Sequence, residues 1–173
     1  MKAVAGLLAV GLLTVSGGRA NACGDKFLRV GRGARYQRGY AAIRPACILI
    51  YADPRSPLAS SLRELEPALK RAGHVPKVVE TPEAIGPALS TGHYNLVLAP
   101  VEDIGVLQGE ARTSTARFDV LPVLHHPSAP ARATAEQDYH CVAESPGRKA
   151  DVLAQIDDLM EWILKGGMNR KER

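Results

Sequence analysis

The chain contains runs of apolar residues that alternate with segments of helical spacing. The run CILIY at residues 47–51 is apolar at every position, and the run YNLVLA at residues 94–99 is nearly so. A strand with one solvent-exposed face would alternate apolar and polar residues. An uninterrupted apolar run is typical of a strand that helices cover on both faces. These runs therefore predict a parallel sheet between two layers of helices.

The same pattern predicts five strands, at residues 47–51, 75–79, 94–99, 120–124 and 139–143. Helical segments separate them, and such a repeat predicts right-handed crossovers within a single parallel sheet. The expected strand order is 2-1-3-4-5, as in flavodoxin-like α/β three-layer sandwiches. We assign this domain to residues 46–166.

The helical segments differ in how clearly the sequence defines them. A helix is predicted over residues 56–73, with a kink or break at Pro67. The segment 102–110 is a poor helix because it contains two glycines, and the connection 127–136 is expected to hold only a turn of helix. The closing helix has one apolar face, formed by Val152, Leu153, Ile156, Leu159, Met160, Ile163 and Leu164.

Four strings at the ends of these strands resemble the receiver domain of two-component response regulators. ILIYADP resembles the first receiver strand with its acidic end, and YNLVLAP resembles the third strand. LPVLHH resembles the fourth strand, and ESP resembles the end of the fifth, where receivers carry Lys-Pro. The resemblance extends over the predicted domain and implies a receiver-like fold.

The resemblance also implies that the phosphotransfer chemistry of receivers is absent. Receivers use two acids after strand one, an aspartate nucleophile after strand three, a hydroxyl after strand four and a lysine after strand five. The residues at these positions here are Ala52 with Asp53, Pro100, His126 or Pro127, and Ser145. Proline cannot accept a phosphoryl group, so the chain resembles a degenerate pseudo-receiver.

Polar side chains gather where the predicted strands end, which is where ligands bind in an open parallel sheet. The predicted binding rim consists of Asp53, Arg55, Glu102, Asp103, His126 and Glu144. Imidazole and carboxylate groups would suit a transition metal, with His126 and Asp53 as ligands. The alternative is that polar residues gather there only because strands must turn. No organic cofactor and no catalytic residue are predicted, since the loop after the first strand lacks phosphate-cradling glycines.

Residues 1–22 have the pattern of a secretory signal peptide. Lys2 precedes an apolar run over residues 3–15, and the string ANA forms a cleavage site before Cys23. The apolar run is too short for a permanent membrane span, so the chain is not expected to be an integral membrane protein. We expect a periplasmic or secreted protein. A lipoprotein signal is disfavoured, because Ala20 stands where leucine is usual.

A basic arm is predicted at residues 23–45, ahead of the first strand. Its densest part carries Arg29, Arg32, Arg35 and Arg38, with Tyr36 among them. Guanidinium groups pair with carboxylate or phosphate and tyrosine offers a stacking surface, so the arm is a candidate site for a protein or anionic partner. The alternative is a solvated charged face. Nucleic acid is not an expected partner of an exported chain.

The three cysteines all follow the predicted cleavage site. An exported chain with three cysteines is expected to form one disulfide and leave one thiol over. Cys141 lies inside the predicted fifth strand and fits a small buried residue, so the favoured disulfide is Cys23–Cys47.

Residues 167–173 form a polar tail.

Two functional hypotheses follow from these patterns. The first is an exported, non-enzymatic binding or protein-docking module on a pseudo-receiver scaffold that lacks the phosphoacceptor aspartate. The second is a periplasmic protein, or a metal-dependent enzyme, that binds a metal or small ligand at the rim of the sheet.

Overall fold

A computed structural model describes residues 40–111 and 117–167 of the chain. The strands are β1 Cys47–Tyr51, β2 Val75–Val79, β3 Leu96–Pro100, β4 Asp119–His125 and β5 Ala143–Ser145. The helices are α1 Ala59–Arg63, α2 Glu66–Ala72, α3 Ile85–Thr91, α4 Ile104–Ala111, α5 Ala129–Asp138 and α6 Lys149–Leu164. Single 3-10 turns, Pro82–Ala84 and Val101–Asp103, precede α3 and α4. The predicted signal peptide, most of the predicted basic arm and nearly all of the predicted polar tail fall outside the described residues.

The five strands form one parallel sheet in the order β2-β1-β3-β4-β5, which confirms the predicted α/β, flavodoxin-like topology. The inner strand β1 pairs through Ile48 with Pro76 of β2 and with Leu96 of β3. Pro76 has no N–H to donate, and its place in an edge strand is the one that tolerates this. Every carboxyl end therefore lies at the same edge of the sheet.

The core has two halves, one on each face of the sheet. Toward α1, α2 and α6 the strands direct Ile48, Ile50, Leu96, Leu98, Leu121 and Val123. Toward α3, α4 and α5 they direct Leu49, Tyr51, Val97, Ala99, Val120 and Leu124. Because successive strand residues point to opposite faces, uninterrupted apolar strands need both helical layers.

The predicted break at Pro67 is confirmed, since α1 ends at Arg63 and α2 begins at Glu66. Proline cannot donate to the carbonyl four residues earlier, and it is tolerated in the first turn of a helix. Gly73 then ends α2 in the left-handed conformation, with φ of 97°. No helix in the described ranges is long and apolar enough to cross a membrane.

Two helices differ from the sequence expectation. The weak segment 102–110 does form α4, because its two glycines face open space while Ile104 and Leu107 are buried against the sheet. The expectation of only a turn at residues 127–136 is wrong, since α5 has ten residues. Its first turn is capped by Ser128, whose side-chain oxygen accepts a hydrogen bond from the backbone N–H of Ala131 at 3.4 Å.

The fifth strand and the end of the last helix also need correction. The predicted strand 139–143 is wrong in position, because β5 begins at Ala143, where its pairing with β4 begins. Cys141 therefore lies in an irregular segment and is only half-buried. On α6, Leu164 was assigned to the apolar face but is 60% exposed.

Residues 40–46 lead into β1, and we call them the lead-in segment. They include the last residues of the predicted basic arm. The Tyr40 hydroxyl donates to a carboxylate oxygen of Asp157 on α6, and the N–H of Ile43 donates to the same carboxylate at 3.2 Å. The N–H of Ala42 donates to the Ala72 carbonyl at the end of α2, at 2.8 Å. These bonds fix the lead-in segment against the α2–α6 layer.

Buried His74 holds the last residue of the lead-in segment. Its Nδ1 accepts a hydrogen bond from the N–H of Ala46 at 3.2 Å, which requires that nitrogen to be unprotonated. Burial lowers the pKa of His74 below its ordinary value of 6.5, although the charge of Asp157 opposes this shift. The folded state therefore holds His74 as the neutral imidazole.

We expect acid to destabilise the protein through His74. Its pKa is lower in the folded state, so the unfolded state takes up the proton first, and the free energy of unfolding falls as the pH drops below about 6.5. The slope from one histidine is at most about 1.4 kcal/mol per pH unit. Urea unfolding of His74→Asn, which keeps an acceptor for Ala46, should lack this component. His93→Asn, at an exposed histidine, should retain it; equal slopes in all three proteins would contradict the assignment.

Candidate functional site

The carboxyl end of β1 carries an acid that is already paired. Asp53 lies two residues beyond β1 and is buried, and its carboxylate faces Arg55. Arg55 donates from Nε to Oδ1 at 3.0 Å, from Nη2 to Oδ2 at 2.6 Å and from its backbone N–H to Oδ1 at 2.9 Å. Both carboxylate oxygens are therefore engaged by one residue.

This pairing sets the electrostatics of the site. The hydrogen bonds from Arg55 lower the pKa of Asp53 to about 2. A carboxylate that is neutralised by a fork of guanidinium N–H groups is a poor ligand for a hard cation, because both oxygens already have partners. The acid that a receiver would use for Mg²⁺ thus has a structural partner in this chain.

The charge of Asp53 also affects the pKa values of two neighbouring groups, Tyr51 and Asp103. Burial, together with the charge of Asp53, raises the pKa of Tyr51 to about 12, and the Tyr51 hydroxyl lies 3.3 Å from Asp53 Oδ2. Partial burial raises the pKa of Asp103, and the charges of Asp53 and Glu102 add to this effect. Tyr51 was predicted only as an apolar strand residue, so its hydroxyl is a part of the site that the pattern missed.

The end of β3 carries no side-chain acceptor. Pro100 is the last residue of β3 and is buried, and the 3-10 turn with Glu102 and Asp103 follows it directly. A receiver places its phosphoryl acceptor at this strand end. Here the position has no side-chain oxygen, and of the two acids that follow, Asp103 lies close enough to Asp53 for their charges to interact.

The remaining rim residues form a second group at β4 and β5. Glu144 pairs with Arg132 of α5 through two contacts, of 2.6 and 2.7 Å. His126 follows β4 with φ of 43°, and its backbone N–H donates to the Ser145 carbonyl at 2.9 Å. The rings of His125 and His126 meet edge to face with centroids 4.6 Å apart. Three of the six predicted rim residues, namely Asp53, Arg55 and Glu144, are therefore held in local ion pairs.

A cavity of about 200 Å³ opens beside this second group. It lies between α1 and the β5–α6 connection, and its lining includes Leu62, Glu144 and Val152. Ligand pockets for drug-sized molecules measure about 300–1,000 Å³, so this cavity suits at most a small fragment of a ligand.

A metal ion held by His126 and Asp53 stays a prediction. Within the described part of the chain, a different group has its donor atoms close together, namely His140, Cys141 and Asp158. The sequence reasoning missed this group because it assigned His140 and Cys141 to a strand, which would have turned their side chains to opposite faces. No local spacing signals it, since Asp158 lies on the following helix.

The described residues leave two predictions untested. The basic arm residues Arg29, Arg32, Arg35, Arg38 and Tyr36 lie outside them, as does Cys23. Cys47 is half-buried in β1 and forms no disulfide with Cys141. The Cys23–Cys47 disulfide therefore remains a prediction.

Asp157 is a second polar group that the pattern missed. It is 6% exposed and lies on the apolar face of α6, one turn from Leu153. A buried acid requires partners, and the lead-in segment supplies them. An aspartate at an apolar position of an amphipathic helix was the signal available in the sequence.

Comparison with solved structures finds a similar fold in the pilus assembly protein CpaE from Caulobacter crescentus CB15. The TM-score is 0.50 at 16% sequence identity, and the match covers 69% of this chain and 96% of that chain. With the observed strand order, this likeness supports a receiver-like α/β scaffold. No protein-family profile matches the chain. No curated protein matches it either.

We expect the pKa of Asp53 to rise from about 2 toward its ordinary value of 3.8 in Arg55→Ala. The shift should be partial, because the backbone N–H of residue 55 still donates to the carboxylate. Carboxyl-detected NMR titration measures it directly. Arg63→Ala removes a comparable exposed pair with Glu80 and should leave Asp53 unchanged. An Asp53 pKa insensitive to Arg55 would refute the pairing.

Proposed function

We propose that this chain is an exported, non-enzymatic protein-docking module on a receiver-like scaffold, with the basic arm as its contact surface. One observation carries the proposal: the lead-in segment fixes the end of the arm to the domain through Asp157. Export rests on the signal-like pattern of residues 1–22.

The paired rim supports the non-enzymatic part of the proposal. Asp53 is held by Arg55, Glu144 is held by Arg132, and β3 ends in Pro100. Phosphotransfer requires an acceptor carboxylate and open acids for a cation, and the paired groups offer neither. The scaffold therefore resembles a receiver in shape while its usual site is filled by internal ion pairs.

The anchored lead-in segment supports docking through the arm. A loosely attached charged tail would lose much entropy on binding, whereas an arm that is fixed at its base loses less. The Tyr40 hydroxyl also donates to the Leu153 carbonyl at 3.1 Å, so α6 holds the segment at two acceptors. The last of the four arginines, Arg38, lies two residues ahead of Tyr40 in the sequence.

The chemistry of the arm points to an acidic protein surface as the partner. Guanidinium groups form two parallel hydrogen bonds with carboxylates, and Tyr36 adds a flat apolar surface. Anionic phospholipid is the competing occupant. CpaE is a pilus assembly protein, and because the likeness concerns the fold alone, we take from it only pilus components as a first set of partners to test.

The arm is tested by replacing its four arginines, Arg29, Arg32, Arg35 and Arg38, with glutamine. Cross-linking in a periplasmic extract, followed by affinity measurement with the purified partner, should give binding at least about tenfold weaker, since four exposed ion pairs are lost. The matched control replaces Arg71, Lys77, Arg117 and Lys165, four exposed basic residues of the domain, and should bind normally.

Three outcomes distinguish the alternatives. Loss of partner in the arm variant alone supports docking through the arm. Unchanged affinity in that variant refutes it. Binding to phosphatidylglycerol vesicles at physiological salt, with no protein partner captured, would replace the protein partner by a membrane surface.

We expect Asp157→Ala to lower the free energy of unfolding by about 1–3 kcal/mol, because it removes the acceptor of the Ile43 N–H and leaves the Tyr40 hydroxyl only the Leu153 carbonyl. Residues 23–45 should also become more sensitive to limited proteolysis. Glu136→Ala, at an exposed acid of α5, should change stability by less than about 0.5 kcal/mol. Equal effects of the two substitutions would show that Asp157 does not anchor the arm.

A further inference from the structure

Three side chains with different donor atoms meet beside the last helix. Asp158 Oδ2 lies 3.4 Å from Cys141 Sγ and 3.6 Å from His140 Nε2. The three donor atoms all lie within 4.8 Å of one another. His140 and Asp158 are exposed and Cys141 is half-buried, so the group is accessible from solvent.

The surrounding contacts hold these side chains in place. The ring of Trp162 stacks on His140 with an interplanar angle of 6° and centroids 4.5 Å apart. Gln155 Nε2 donates to the Val142 carbonyl at 2.8 Å and so ties the segment after Cys141 to α6. Asp158 and Trp162 lie one helical turn apart on α6, which places the carboxylate and the stacked ring on one side of the helix.

We propose that His140, Cys141 and Asp158 bind a divalent transition metal of the zinc class. For tetrahedral zinc, bond lengths of about 2.3 Å to sulfur and about 2.0 Å to nitrogen or oxygen give edges of about 3.5 Å for S–O and about 3.3 Å for N–O. The observed separations of 3.4 and 3.6 Å are close to these edges. Thiolate and imidazole ligands favour zinc-class metals over Mg²⁺ or Ca²⁺, which prefer oxygen.

The arrangement does not fit a thiol nucleophile activated by histidine. A nucleophilic triad places the imidazole between the thiol and the carboxylate. Here the carboxylate oxygen is the shared neighbour of both the thiol and the imidazole. All three donor atoms also lie within 4.8 Å of one another, which is close enough for one cation to contact all three after small side-chain movements.

Metal binding replaces the S–H bond of Cys141 with an S–metal bond, and the proton passes to solvent. His140 binds through Nε2 as the neutral imidazole, and Asp158 binds as the carboxylate. Three protein ligands leave one tetrahedral position for water or for a donor group of a second molecule. The site is independent of the docking proposal, since it uses neither the rim nor the arm.

Titration of the full chain with Co²⁺ tests the proposal, because tetrahedral cobalt bound to thiolate gives visible bands and a near-ultraviolet charge-transfer band. We expect one equivalent to bind, Zn²⁺ to displace it, and one proton to be released from the thiol. Asp158→Asn should weaken Zn²⁺ binding at least about tenfold, as loss of even an outer-shell partner costs that much. Cys141→Ser should abolish the charge-transfer band.

The controls separate this site from the other cysteines and histidines. Cys23→Ser, Cys47→Ser and His126→Gln should each bind Co²⁺ like the unmodified chain. A band that survives Cys141→Ser, or that disappears in Cys23→Ser or Cys47→Ser, would overturn the assignment. Absence of stoichiometric Co²⁺ and Zn²⁺ binding in the reduced, folded chain would leave only a His140–Asp158 ion pair at this position and would end the proposal.

Discussion

The sheet is apolar on both of its faces. Water must be excluded from each face, and this requirement determines where the helices pack. In β1, Ile48 and Leu49 point to opposite helical layers and both are fully buried. A single layer of helices would leave half of the apolar side chains of such a strand in water, so helices must pack on both faces. Charged groups are consequently concentrated at strand ends and on outer helix faces, and both candidate sites lie at such positions. The paired rim lies at the carboxyl ends of the strands, and the His140–Cys141–Asp158 group lies on the outside of α6.

His74 and Asp157 are the exceptions to this division, and they explain how the chain enters the domain. Each is a buried polar residue that accepts hydrogen bonds from the lead-in segment. A buried acceptor without a donor would cost free energy, so the two side chains and the segment depend on each other. The same bonds determine where the basic arm begins. Residues 40–43 are thus joined to the packing of α2 and α6.

The likeness to a receiver concerns the scaffold and not the chemistry. The positions that resemble receiver acids were identified from the sequence, and the absence of an acceptor at Pro100 followed from residue type alone. That Asp53 is neutralised by Arg55 did not follow, although the two are only two residues apart, because the side-chain direction depends on the turn after β1. The rim was expected to converge on one ligand, whereas the structure pairs Glu144 with Arg132 and Asp53 with Arg55. A shared fold therefore supports no shared activity here.

The sequence by itself determined the α/β class and the break at Pro67, because hydrophobic periodicity and proline stereochemistry act over a few residues. The strand order was expected only by analogy with flavodoxin-like folds, and the strand pairing confirmed it. Only the tertiary structure decided where β5 begins, since that depends on which residues pair with β4. It also decided that α5 is a full helix, although Ala135 is its single buried residue. The Asp157 anchor and the His140–Cys141–Asp158 group join residues that are distant in the chain. Such contacts depend on how the closing helix packs against the sheet, which no local pattern encodes.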